Sequence, residues 1–134
     1  ADMWIGRGVN ISAEEGILEG DAKISKDAHR YKGSGFVRFD GKEGAITFYQ
    51  ENDGEAGDYS MRFRYMHNNT GQVHPMKLYL NDEYVRTLEF EPTGGWEKEW
   101  KFVPTILNLK AGANNIRIET MGESGPYIDE LFID

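Results

Sequence analysis

Tyr59-Ser60-Met61-Arg62-Phe63-Arg64-Tyr65 sets an apolar or aromatic side chain at every second position, with a small or charged one between. A period of two belongs to a β-strand with one buried face, here Tyr59, Met61, Phe63 and Tyr65. The same alternation recurs on both sides of this stretch. Upstream, Phe36-Val37-Arg38-Phe39 and Ala45-Ile46-Thr47-Phe48-Tyr49 read as two strands separated by the turn pair Asp40-Gly41. Downstream, Met76 to Leu80 and Tyr84 to Leu88 flank Asn81-Asp82 and predict a hairpin. Trp96 to Phe102, Thr105 to Leu109, Ile116 to Glu119 and Tyr127 to Ile133 continue the pattern, with turns at Pro92-Thr93-Gly94-Gly95 and Ala111 to Asn115. No stretch of about ten residues or more shows a helical apolar stripe. Roughly nine short strands without helices predict an all-β fold: a two-sheet antiparallel β-sandwich of jelly-roll type. The terminal strands are expected side by side.

Length and composition agree with one domain over residues 1–134. Hydrophobic residues at 39% suffice for a core, and charged residues at 28% suit a soluble surface. The absence of cysteine removes disulfides, thiol nucleophiles and Cys-based zinc sites. Fifteen basic against 23 acidic residues give a net charge of −8, which argues against nucleic acid and anionic lipid as partners. No apolar run approaches the ~18 residues of a membrane span. An acidic surface suits a neutral ligand or a cation such as calcium.

The motifs of catalysis do not appear. His29, His67 and His74 fall in or beside loops and form no metal-ligand spacing. Gly33-Ser34-Gly35 is too short for a nucleophile elbow, and no phosphate loop occurs. Facing carboxylates could hydrolyse a glycoside, which keeps a jelly-roll enzyme as an alternative. The aromatic residues point elsewhere. Tyr31 precedes Lys32-Gly33-Ser34-Gly35, Trp96 follows Thr93-Gly94-Gly95, and Tyr127 follows Gly125-Pro126, so three rings sit beside turns rather than inside strands. A flat ring matches the C–H face of a sugar, and neighbouring amide, imidazole or carboxylate groups can bond its hydroxyl rim. His67, Asn68, Asn69 and His74, on or beside one loop, are the candidate rim groups.

The order of these features resembles the carbohydrate-binding modules of family 35 and, more distantly, family 6. The supporting segments are Ser12-Ala13-Glu14, Tyr31 to Val37, Gly57-Asp58-Tyr59 with Phe63-Arg64-Tyr65, and Pro75 to Leu78. They continue with Thr93 through Trp100, Leu109 to Asn114, and Gly125 to Asp129. The resemblance implies a non-catalytic β-sandwich attached to the catalytic domain of a secreted polysaccharide-degrading enzyme, acting as a monomer on plant cell-wall polysaccharide. By position, Tyr31 and Trp96 match the two aromatic places that flank the sugar. Tyr127 stands where an Asn is usual. His74 stands where modules that bind uronic acids present a basic residue before Pro. Both departures favour a neutral glycan, β-mannan first, with xylan or galactan behind it. The resemblance also implies a structural calcium held by Glu14 and Asp129, with Ser12 where a further carboxylate is common. Calcium-mediated binding of uronic acid, and an adhesive sandwich that binds protein, are the remaining alternatives.

Overall fold

The computed structural model describes residues 9–26, 35–66, 74–91, 100–122 and 125–133. The described strands are β1 (Val9–Ser12), β2 (Ile17–Ser25), β3 (Phe36–Asn52), β4 (Gly57–Met66), β5 (His74–Leu80), β6 (Glu83–Phe90), β7 (Lys101–Leu109), β8 (Gly112–Thr120) and β9 (Tyr127–Ile133). A single 3-10 turn, Ala13–Glu15, separates β1 from β2. Every pairing is antiparallel. One sheet runs β6-β5-β8-β3-β2, and the other runs β7-β4-β9-β1. β3 joins them at a corner, because its first residues meet β9 at Val37↔Ile128 while its later ones pair with β8. The two terminal strands lie together, with Val9 opposite Ile133 and Ser12 opposite Glu130.

The period-two reading of β4 holds in the core. Met61, Phe63 and Tyr65 are buried, and Tyr59 packs against them. The facing sheet contributes Ile46, Phe48, Ile116, Ile118, Met76, Leu78 and Phe90. Phe48 and Phe63 meet across the sandwich at 5.8 Å, and Tyr65 meets Phe90 edge-on at 4.9 Å. Such ring pairs add to the area they bury, typically by about 0.5–1.5 kcal/mol each. The hairpin at Asn81-Asp82 has both residues at positive φ (50° and 73°), the geometry that matches strand twist in a two-residue turn.

Two strand boundaries differ from expectation. Asp40-Gly41 does not reverse the chain, and β3 runs through it from Phe36 to Asn52. The turn chemistry serves a bulge instead. On β2, Gly20 pairs with Gly44 and Ala22 with Phe39, so Asp21 alone faces residues 40–43. Gly20 sits at φ 61°, where a Cβ would lie 2.1 Å from the carbonyl oxygen of Glu43. The Glu43 backbone N–H donates to the Asp21 carboxylate at 3.0 Å, and the Thr120 hydroxyl donates to the Lys42 carbonyl at 2.7 Å. Both bonds fix the excursion. Similarly, the stretch from Lys101 to Leu109 is one strand through Pro104. β7 is an edge strand, where a residue without an N–H is tolerated.

Candidate functional site

The registers place four chain connections at one end of the sandwich. Ser25 pairs with Phe36, Met66 with Tyr127, His74 with Phe90, Tyr65 with Lys101, and Met76 with Thr120. The segments between β2 and β3, β4 and β5, β6 and β7, and β8 and β9 therefore all leave from this end. Phe36 and Met66 are fully buried there and carry the half-buried rings of Trp100 and Tyr127. Phe36 stacks on Tyr127 at 4.7 Å and meets the Trp100 edge at 5.7 Å. The Arg38 guanidinium lies 5.6 Å from the Tyr127 ring centre, and that of Arg64 lies 4.9 Å from the Trp100 ring. Each is within cation–π range. The Tyr65 hydroxyl donates to the Glu91 carbonyl at 2.9 Å and anchors the start of the β6–β7 segment. Burial of that ring holds its phenol above the ordinary tyrosine value, partly offset by this bond.

The opposite end is closed on itself. The Asn52 side-chain amide donates to the Lys110 carbonyl at 3.1 Å, its oxygen accepts from the Gly54 N–H at 3.0 Å, and the Tyr59 hydroxyl donates to the Glu55 carbonyl at 2.7 Å. These short connections spend their polar groups on each other.

Of the expected site residues, Tyr31, His67, Asn68, Asn69 and Trp96 lie outside the described residues, in segments whose flanking strands converge on this end. Tyr127 is at the end itself, half-buried against Phe36. His74 requires a correction. It opens β5 on the inward face with Met76 and Leu78 and is 3% exposed, so its ring does not stand on a sugar rim. Trp100, Arg38 and Arg64 were not singled out as site residues. Trp100 falls inside the expected strand Trp96 to Phe102, so no local signal set it apart.

Glu14 belongs to the 3-10 turn, which packs on β9. Ser12 faces Glu130, the neighbour of Asp129, so the segment holding Glu14 and the strand holding Asp129 meet. Asp129 is fully buried and forms an ion pair with Arg64. Among the described residues, no group of three or more His, Cys, Asp or Glu side chains is placed to hold a metal. A calcium here would rest on two carboxylates with backbone carbonyls completing a shell of roughly six to eight oxygens.

Comparison with solved structures supplies the deciding observation. A family 35 carbohydrate binding module from Clostridium thermocellum superposes with a TM-score of 0.87 at 28% identity, covering 96% of this chain and 98% of that one. The chain has the fold of the family 35 carbohydrate-binding modules over nearly its whole length. It is a binding domain rather than a catalytic one. No protein-family model matches the sequence. A protein of Formosa agariphila named "Putative beta-glucuronidase" is 79% identical over all 134 residues, and the module spans 13% of its length. A cycloisomaltooligosaccharide glucanotransferase of Niallia circulans is 37% identical over 105 residues, which cover 75% of the module and 10% of that protein. The module thus spans only about an eighth or less of the curated relatives it matches.

Proposed function

We propose that this module holds a longer carbohydrate-active enzyme on an extracellular polysaccharide through the end where its four inter-strand segments converge. The observation that supports this most is the convergence of strand ends: the described residues that flank the segments holding Tyr31, His67–Asn69 and Trp96 all lie at the end of the Phe36 cluster and Tyr127. Trp96 and Tyr31 supply the apolar platform, Tyr127 part of its wall, and His67, Asn68 and Asn69 the polar rim. The module works as a monomer. A neutral glycan is the favoured ligand, with β-mannan the first to test. Tyr127 offers a ring where an amide would bond, and the inward turn of His74 withdraws a basic group from the rim. A structural calcium at Glu14 and Asp129 stabilises the terminal strands and takes no part in binding chemistry.

A second reading has its own support. Two guanidinium groups, Arg38 and Arg64, lie against rings at this end, and the Formosa agariphila relative carries the name of a β-glucuronidase. That pairing suits a glycan bearing glucuronic acid. Affinity electrophoresis separates the two readings if run with β-mannan, xylan, galactan, an α-1,6-glucan and a glucuronic-acid-bearing polysaccharide, beside a reducing-sugar assay. Retardation by a neutral glycan without released sugar is expected. Retardation by the acidic glycan alone supports the second reading. Released sugar overturns the module's non-catalytic role, and no retardation by any glycan overturns carbohydrate binding.

A further inference from the structure

The β7-β4-β9-β1 sheet turns Met61, Phe63 and Tyr65 inward, so the side chains between them belong to its outer face. The registers set Phe102 opposite Arg64, Pro104 opposite Arg62 and Ile106 opposite Ser60, with Phe132 of β9 on the far side of Arg62. Phe102 is 45% exposed and Ile106 is 52% exposed, which puts two large apolar groups on one short stretch of β7. The Phe102 and Phe132 rings meet edge-on at 5.7 Å, and the Arg62 guanidinium lies 5.0 Å from each ring centre. Those contacts hold the three groups in one arrangement.

Ser60, Arg62, Pro104 and Ile106, together with Arg86 from β6, line an open groove of about 620 Å³ on this sheet. Arg86 donates to the Thr105 hydroxyl and, at 2.7 Å, to the Ile106 carbonyl. Pro104 has no N–H to offer. A strand extending the sheet from β7 would find one carbonyl already taken and one donor missing. What the face offers a partner is therefore side-chain contact. The groove lining holds two guanidinium groups and no carboxylate, in a chain whose net charge is −8.

We propose that this face packs against a neighbouring domain of the longer enzyme, on an apolar surface that presents a carboxylate to Arg86. The inference rests on the reading of the chain as one module of a longer protein. In the Formosa agariphila relative the matched 134 residues are 13% of the whole, so most of that polypeptide lies outside the module. β9 carries the chain to this face, because Ile133 pairs with Met61, next to the Ser60–Ile106 pair. Aromatic rings and arginines are the residue types that anchor protein interfaces. A sugar would need donors and acceptors for its hydroxyl rim, and Ile106, Pro104 and the two phenylalanine rings supply none. Among the described residues Arg86 bonds only neutral acceptors, so a partner's carboxylate adds a charge-assisted bond where packing excludes water.

Hydrogen exchange read by mass spectrometry tests it on the isolated module and on the full-length enzyme that carries it, each as wild type and as Ile106→Lys. A thermal melt checks the variant module, whose altered side chain lies on the outer face and should leave the midpoint unchanged. The expected result is exchange over residues 102–108 that is roughly tenfold or more slower in the full-length wild type than in the isolated module. Ile106→Lys returns the full-length protein to the rate of the isolated module and leaves retardation of the module by glycan unchanged. Equal rates in the isolated module and the full-length wild type overturn this inference alone. So does slowing that survives Ile106→Lys. Slowing in the isolated module on addition of the retarding glycan makes the face a sugar surface and overturns docking, and slowing that rises with module concentration makes the occupant a second copy and does the same. Slower exchange in the full-length protein, without retardation of the module by any glycan, supports docking while overturning carbohydrate binding.

Discussion

Asp129→Ala is expected to destabilise the module by about 3–5 kcal/mol, the usual cost of removing one member of a buried ion pair. Asp129 has no exposed side-chain surface, and its partner Arg64 is 12% exposed. Truncation leaves a guanidinium in the interior without its carboxylate, on the two strands that link the chain's C-terminus to the aromatic cluster. The midpoint of thermal unfolding should fall by on the order of 10 °C or more. Running the melts in calcium and in chelator separates the two roles given to Asp129. Wild type should melt higher in calcium, because an ion bound only by the folded state adds stability by mass action. The variant should melt well below wild type in chelator too, where only the ion pair is at stake. A variant that matches wild type in chelator overturns the structural role of the pair. Identical wild-type midpoints in calcium and chelator overturn the calcium proposal.

Trp96→Ala is expected to weaken polysaccharide binding by one to two decades while the melting midpoint holds. Loss of an indole face against a sugar removes about 1–3 kcal/mol of apolar contact. Water competes for each hydroxyl, so the remaining hydrogen bonds replace little of it. The segment that holds Trp96 leaves from Glu91 and returns at Trp100, both at the loop end. A sharp fall in the midpoint would instead make Trp96 a core residue. A folded variant with wild-type affinity would put the site on another surface.

What the sequence disclosed tracks what burial alternation can encode. β8, and β4 as far as Tyr65, alternate because one face of each is core, so period two is visible in their residues. β2 was not foreseen. Its stretch from Ile17 to Ser25 buries little besides Ala22, since it is the outermost strand of its sheet and pairs across a bulge. Asp40-Gly41 has the composition of a turn, but whether such a pair reverses the chain or bulges it depends on the strand opposite, which local sequence does not name. Pro104 likewise reads as a break until the strand is known to be an edge.

Of the three rings read beside turns, Tyr127 stands at the loop end, while Tyr31 and Trp96 lie outside the described residues. His74 was misplaced because its side depends on the phase of β5, in which Met76 and Leu78 also point inward. The pairing of Arg64 with Asp129 joins residues 65 positions apart, so it was visible only once β4 and β9 were known to be neighbours. Trp100 looked like strand interior, yet it lies one residue outside β7 and shares the Phe36 cluster with Tyr127.

An amide-by-amide NMR titration of the labelled chain, using an oligosaccharide of whichever glycan retards it, tests the central claim most directly. The account predicts that the largest shifts fall on residues bordering the four segments, among them Gly35, Phe36, Met66, Glu91, Trp100 and Tyr127. Shifts confined to the opposite end, around Gly54, Asn81 and Ala111, with the Phe36 cluster silent, would contradict it.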